Sequence, residues 1–269
     1  MSIAIISGKG GVGKTNIALN LAYALHRAKQ RVLLMDCDLG LANLDVLLGI
    51  APTVSIEQAL LGEASLQDAV VDIEPGGLSL LPASSGIDVL GDASSAAYAS
   101  LIGQINVLAA RYQYLILDVG AGITATVQDF AAKAALRVIV VTPEPTSLTD
   151  AYALIKVLFT QRGIDDFHVL VNQAESPQEE KAAFTRLSAT CKRFLGIALT
   201  PLGGICSDPN MVQAVRRQEP LLKFAPSSPA GKDIVAVAVR LHKIREKLDH
   251  YPDEPLRVHE GQQAERYPA

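Results

Sequence analysis

A glycine-rich stretch near the start of the chain has the residue types and spacing of a phosphate-binding loop. The run Gly8-Lys9-Gly10-Gly11-Val12-Gly13-Lys14-Thr15 fits the pattern GxxxxGK[ST], with an apolar stretch before it and an amphipathic one after it. Glycines let consecutive backbone N–H groups turn toward phosphate oxygens, and the dipole of the following helix favours the same negative charge. We expect Lys14 to reach the β- and γ-phosphates and the Thr15 hydroxyl to ligate Mg²⁺.

Lys9 is a second lysine inside the same loop. One bound nucleotide does not need it, because Lys14 already supplies a cation to the phosphates. A loop that served packing alone would need neither Lys14 nor Thr15 at this spacing.

Three acidic residues follow apolar runs that read as strands. Asp36 and Asp38 come after Val32–Met35, and Asp118 comes after Leu115–Leu117. The carboxyl ends of parallel strands form the usual ligand edge of a sheet. Asp118 has the pattern of a Walker B acid, which holds Mg²⁺ directly or through water. The alternative, a carboxylate that caps a following helix, is ordinary for Asp45.

Composition excludes several classes of protein. The chain has 269 residues, of which 49% are apolar, and a net charge of −4. This apolar content is enough to form a core and is not that of a disordered chain. No apolar run reaches the roughly 18 residues of a membrane span, and the N-terminus has no signal-peptide pattern. We expect a cytoplasmic protein with three reduced cysteines and no specific nucleic-acid partner.

Short apolar runs alternate with helical patterns along the chain, which predicts an α/β fold: a single-domain, doubly wound, mostly parallel sheet with helices on both faces. We predict this domain over residues 1–250 and a short, poorly ordered polar tail over 251–269. The predicted strands are 3–7, 31–36, 78–82, 114–119, 138–142, 168–172 and 197–205, and the predicted helices are 14–29, 98–111, 122–135, 147–161, 177–194, 208–218 and 230–249.

The loop resembles the deviant Walker A motif of the MinD/ParA family, because Lys9–Thr15 matches the KGGxGKT signature. This resemblance implies a P-loop ATPase that binds ATP or ADP with Mg²⁺ and forms a homodimer with ATP. It further implies that Lys9 contacts the phosphates of the partner's nucleotide, that Asp36 serves the Mg²⁺ and its water shell, and that Asp38 orients the attacking water. The implied catalytic residues are Lys9, Lys14 and Asp38; the implied metal ligands are Thr15, Asp36 and Asp118; the implied nucleotide contacts are Gly8 to Thr15, Asn16, Asn172 and Asp208.

The sequence departs from the family pattern beside two of these positions, Asp208 and Asp118. Asn172 matches the adenine-contacting position, although an asparagine after a strand can also simply form a turn. Near Asp208 the family's proline is replaced by Cys206. The residue after Asp118 is Val119 where the family usually has threonine, and with Gly120 this predicts a mobile loop and slow turnover, or a scaffold without turnover.

Three further segments resemble the FlhG/FleN branch, which sets flagellar number and placement: residues 38–45, 82–86 and 144–156. The branch implies two partners, a flagellar SRP-type GTPase and a flagellar transcriptional activator. We expect the helix beginning near Ser147, with Asp150 and Lys156, to form part of the docking face. The tail offers poor material for a membrane anchor, so membrane association at the inner face or the cell pole would be weak or indirect. The rival within the fold is a ParA-type ATPase that positions DNA or other cargo.

Overall fold

The computed structural model describes residues 1–38, 43–54, 56–60, 63–83, 95–247 and 255–257. Within these ranges eight strands form one sheet in the order β3-β4-β2-β5-β1-β6-β7-β8. Every neighbouring pair is parallel except β3 and β4. The predicted fold class is confirmed. The strands are β1 Ser2–Ser7, β2 Val32–Cys37, β3 Val71–Glu74, β4 Leu78–Leu81, β5 Tyr114–Ala121, β6 Leu136–Val141, β7 His168–Ala174 and β8 Thr200–Cys206.

Helices cover both faces of the sheet. Those in the described ranges are α1 Lys14–Arg27, α2 Leu44–Leu48, α3 Ile56–Leu60, α4 Ser95–Ala109, α5 Ala125–Lys133, α6 Pro145–Arg162, α7 Pro177–Leu195, α8 Pro209–Arg216, α9 Leu221–Phe224 and α10 Pro229–Lys247. None of them is long and apolar enough to cross a membrane.

The core consists of two layers, one on each side of the sheet. Along β1, Ile3 and Ile5 pack into the layer formed with α1, α8, α9 and α10. Ala4 and Ile6 point the other way, into the layer formed with α4, α5, α6 and α7. Side chains alternate between faces in a strand, so a strand buried on both faces must be apolar throughout. This explains why the strands were visible in the sequence as continuous apolar runs.

The elements that sequence analysis missed are short or half-exposed. Strand β3 is antiparallel to β4, and all four of its residues keep some exposure. Its sequence, Val-Asp-Ile-Glu, is half acidic and lacks the apolar run of the inner strands. Helices α2 and α3 have five residues each and α9 has four, too few for a helical period to be recognised.

Part of the C-terminal tail is packed against the domain. Leu256 is fully buried in the core layer that includes α4 and α5. The Asn106 side chain of α4 binds the Leu256 backbone twice: its amide donates to the carbonyl oxygen at 3.0 Å and its oxygen accepts from the N–H at 2.8 Å. Arg257 N–H donates to the Lys133 carbonyl oxygen at 3.0 Å. Residues 255–257 are therefore held in place, in contrast to the poorly ordered tail that the sequence predicts; residues 251–254 and 258–269 lie outside the described ranges.

Candidate nucleotide site

The phosphate-binding loop connects β1 to α1 at the centre of the sheet. Strand β1 lies between β5 and β6, where the strand order reverses, and this switch point is the usual ligand position in such sheets. Gly11 and Gly13 have φ angles of 80° and 84°, in the left-handed region that favours glycine. Around Gly10 and Gly11 nothing approaches within 4 Å of where a Cβ would stand. The loop thus has open space around these two glycines.

Gly8 is required for a different reason, because it touches the backbone of α6. A Cβ at this position would lie 2.2 Å from the backbone carbonyl of Asp150 and 2.6 Å from the nitrogen of Ala151. No side chain fits at such distances. The first residue of the loop and the first half of α6 are therefore in direct backbone contact.

Lys14 and Asp118 form a buried ion pair beneath the loop. Lys14 Nζ lies 3.2 Å from Asp118 Oδ1, and their side chains are 8% and 1% exposed. Burial raises the pKa of Asp118, while the charge of Lys14 and a hydrogen bond from the Thr15 hydroxyl oppose that rise. The structure therefore brings together three residues that the sequence assigns to the phosphates and the metal.

Asp36 lies beside Asp118 and is held by backbone N–H groups. The two residues are register partners across β2 and β5. Asp36 accepts hydrogen bonds from the N–H groups of Asp38, Asn43 and Leu44 at 3.0, 3.1 and 3.2 Å. Burial raises its pKa to about 6, with a further contribution from the charge of Asp118, and the N–H donors act against this shift. A cation near this pair would relieve the repulsion.

The side chains of Thr15, Asp36 and Asp118 fit a magnesium ion. Mg²⁺ prefers oxygen ligands and is usually held by one or two carboxylates together with substrate phosphates and water. The hydroxyl and the two carboxylates supply such oxygens next to the open loop. Among the described residues there is no group of three or more His, Cys, Asp or Glu side chains that could hold a metal alone.

Asp38 faces the end of β5. Its carboxyl carbon lies 3.5 Å from where a Cβ of Gly120 would stand. Strand β5 continues through Ala121, so Val119 and Gly120 belong to the sheet and not to the mobile loop that the sequence predicts. The Val119 side chain is fully buried in the core layer that includes α4 to α7. Burial in the sheet explains why an apolar residue is accommodated directly after Asp118.

Lys9 extends from the loop to the start of α6. Its Nζ lies 2.6 Å from Glu144 Oε2 and 3.0 Å from Thr146 Oγ1. The hydrogen bond and charge of Lys9 lower the pKa of Glu144. The side chains are 30% exposed for Lys9 and 62% for Glu144. No local sequence pattern points to these contacts of Glu144 and Thr146, because their partner is more than 130 positions away in the chain.

The two predicted adenine contacts have different environments. Asn172, at the end of β7, lies against the loop and its side-chain amide donates to the Val12 carbonyl oxygen at 2.8 Å. Asp208 caps α8: its carboxylate accepts from Asn210 N–H at 2.9 Å and from Ala230 N–H at 3.1 Å. Asn172 is thus part of the loop's surroundings, whereas Asp208 shapes the start of two helices. Adenine contacts by either residue stay predictions, as does a nucleotide contact by Asn16 in the first turn of α1.

Comparison with known proteins identifies the family. Residues 3–221 match the family described as CobQ/CobB/MinD/ParA nucleotide binding domain. The chain belongs to this family. It is 40% identical over 250 residues to the antiactivator FleN of Pseudomonas aeruginosa, covering 93% of this chain and 86% of FleN. It is also 40% identical over 238 residues to the flagellum site-determining protein YlxH of Helicobacter pylori, covering 88% and 80%.

Solved structures of MinD share the fold. The MinD chain in the MinC:MinD cell division protein complex of Aquifex aeolicus matches with a TM-score of 0.74 and 29% identity, over 90% of this chain and 96% of that one. The chain is therefore an ATPase of the MinD/ParA family, as its P-loop, the carboxylates beside that loop and its family membership indicate.

Proposed function

We propose that the chain is an ATP-dependent switch that controls the number or placement of flagella. Support for the cellular role comes from two relatives that are each 40% identical to the chain, the flagellum site-determining protein YlxH and the antiactivator FleN. The observation that carries the switch is the second loop lysine, Lys9, which in this structure binds the same chain's α6. A residue with two alternative partners can report which nucleotide is bound.

The proposed reaction is Mg²⁺-dependent hydrolysis of ATP to ADP and phosphate. The loop N–H groups and Lys14 hold the phosphates, Thr15, Asp36 and Asp118 hold the metal, and Asp38 orients the attacking water. Bound Mg²⁺ would neutralise charge that develops on the phosphate oxygens. Asp118 also neutralises the buried Lys14 ammonium. Positioning and charge neutralisation are sufficient for phosphoryl transfer, so no covalent nucleophile is needed.

ATP is proposed to assemble two copies into a homodimer in which each Lys9 contacts the other copy's nucleotide. To do so, Lys9 must leave Glu144 and Thr146. The pair is partly exposed, and ion pairs of this kind contribute little free energy. Competition by a phosphate group is therefore sufficient to release the lysine.

Helix α6 is the proposed route from the nucleotide to flagellar partners. It touches the loop at Gly8 through its backbone and at Lys9 through Glu144 and Thr146. A partner that distinguishes ATP from ADP must contact a surface that differs between the two states. Asp150 and Lys156 on α6 are proposed to form part of that surface, for a flagellar SRP-type GTPase or a flagellar transcriptional activator. The protein would act in the cytoplasm or at the inner face of the membrane.

The test of this proposal is binding of the purified flagellar regulator by the full chain with ATP and with ADP. Charge reversal of both α6 residues, Asp150→Lys with Lys156→Glu, should weaken binding in the ATP state and leave dimerisation unchanged. The matched control reverses an exposed pair on α10, Lys243→Glu with Glu246→Lys. Equal binding with ATP and ADP by the unmodified chain would refute the switch, and undiminished binding by the α6 variant would remove this helix from the interface.

A further inference from the structure

Helix α2 is held at both of its ends by side chains from other elements. At its start, Asp36 Oδ2 accepts from the N–H groups of Asn43 and Leu44. At its other end, the Gln218 side-chain amide donates to the Val46 carbonyl oxygen at 2.7 Å. A helix of five residues does not persist alone, so its position depends on such contacts and on the fully buried Leu44.

Gln218 has an unusual backbone conformation and a close neighbour. Its φ angle is 56°, in the left-handed region that residues other than glycine seldom adopt. Gly49, the residue that ends α2, has a φ angle of 62°, and a Cβ there would lie 3.1 Å from Gln218 Oε1. Both residues follow the last turn of a helix, where the left-handed conformation is a common ending, and the two helix ends meet at the Gln218 side chain.

Gln218 belongs to the turn that ends α8. Its backbone N–H donates to the Val215 carbonyl oxygen at 3.0 Å, and the neighbouring Arg217 N–H donates to that of Gln213 at 3.1 Å. Helix α8 starts at the capping residue Asp208. A continuous series of contacts thus runs from Asp36 through α2 and Gln218 to α8. Apolar side chains on both helices are exposed, Val46 at 63% and Val212 at 53%, so movement of these helices would alter the protein surface.

We propose that Gln218 is a positioning residue that makes α8 respond to occupancy of the metal site at Asp36. The inference rests on the proposed role of Asp36 in holding Mg²⁺. A carboxylate engaged by a cation accepts more weakly from N–H groups, so the start of α2 loosens when the site is filled. Gln218 transmits this change because it links the other end of α2 to α8. Coupling of this kind requires contacts that differ between the two states, and the Asp36 hydrogen bonds supply them.

Hydrogen exchange in the full chain tests the coupling. Amides of residues 43–50 and 210–217 are compared with ADP plus EDTA and with ADP plus Mg²⁺. In the unmodified protein, Mg²⁺ should accelerate exchange in both segments by about fivefold, the size expected when one hydrogen bond is weakened. In Gln218→Met, which keeps the side-chain length and removes the donor, only residues 43–50 should respond.

Two further variants separate the tether from effects on folding. Gln218→Asn suits the left-handed conformation and is too short to reach Val46, so it should also uncouple α8. Gln213→Met changes an exposed glutamine of α8 and should leave the response intact. The same Mg²⁺ response at residues 210–217 in Gln218→Met and the unmodified chain, or none in either, would overturn the inference.

Calorimetry on the same samples distinguishes failure of this inference from failure of the proposed function. If Mg²⁺·ADP does not bind, the proposed function falls together with the inference. Normal binding with unaltered exchange removes only the inference.

Discussion

Lys9 Nζ and Glu144 Oε2 lie 2.6 Å apart, although 135 positions separate the two residues in the chain. This contact places the second loop lysine against the start of α6. The same helix touches Gly8 through its backbone. Two contacts thus link the loop to the proposed docking helix. The backbone contact at Gly8 is fixed by close packing, whereas the side-chain contact between Lys9 and Glu144 can break.

Glu144→Gln should favour the ATP-bound dimer, because it removes the charge that holds Lys9 within its own chain. The dimer dissociation constant should fall by no more than about fivefold, since an ion pair this exposed is weak. Sedimentation of a dilution series with ATP and Mg²⁺ measures the constant. Glu63→Gln, at an exposed acid outside the site, is the matched control, and a weaker dimer in Glu144→Gln would show that the acid assists assembly.

Asp38→Ala should retain ATP binding and lose hydrolysis, because it removes the group proposed to orient water and leaves the loop and metal ligands in place. We expect kcat to fall by about 100-fold or more, the usual contribution of a positioned base. Single-turnover hydrolysis and calorimetry measure the two properties separately. Turnover at the unmodified rate would exclude this role for Asp38.

Lys14→Ala should lose nucleotide affinity itself, in contrast to Asp38→Ala. The variant also leaves the buried Asp118 carboxylate without its cation, so the free energy of unfolding should fall by about 3 kcal/mol. Calorimetry with ADP and chemical denaturation check the two effects. Unchanged affinity for ADP would mean that Lys14 does not contact the phosphates.

Asp36 should make the stability of the metal-free protein depend on pH. Its pKa in the folded chain is raised to about 6 from 3.8, so between these values the folded state binds more protons than the unfolded one. Stability from this group is therefore present at low pH and is lost as pH rises through about 6. Relative to the unmodified chain, Asp36→Asn should gain up to about 2 kcal/mol between pH 4 and pH 7. Denaturation across this range measures the difference, and a difference independent of pH would contradict the raised pKa.

Leu256→Ala should destabilise the domain by about 2–4 kcal/mol, because it leaves a cavity in the core layer that includes α4 and α5. Arg257→Ala, next to it, should change stability by less than about 0.5 kcal/mol, since the structure shows its contact to Lys133 through the backbone. Thermal unfolding compares the two variants. Equal melting temperatures would mean that the tail is not packed in solution.

The features that could be predicted from the sequence are those that a short run of neighbouring residues encodes. Continuous apolar runs indicated the inner strands, and loop spacing indicated Lys14, Thr15 and the strand-end acids, which the structure brings together. Contacts between distant segments leave no such pattern. Glu144 and Gln218 act on partners that only the fold brings near, and Leu256 is one apolar residue in a polar stretch. Asp208 shows that a match to a ligand motif does not by itself assign a role, because this residue also caps α8.

The mass of the protein with ATP tests the central claim most directly. Light scattering on Asp38→Ala with ATP and Mg²⁺, where turnover is blocked, should give twice the chain mass of 28.5 kDa, and with ADP it should give 28.5 kDa. Adding Lys9→Ala should return the ATP sample to the monomer mass, whereas adding Lys29→Ala, at an exposed lysine after α1, should not. The same mass with ATP and ADP, or an ATP dimer that persists without Lys9, would contradict the switch.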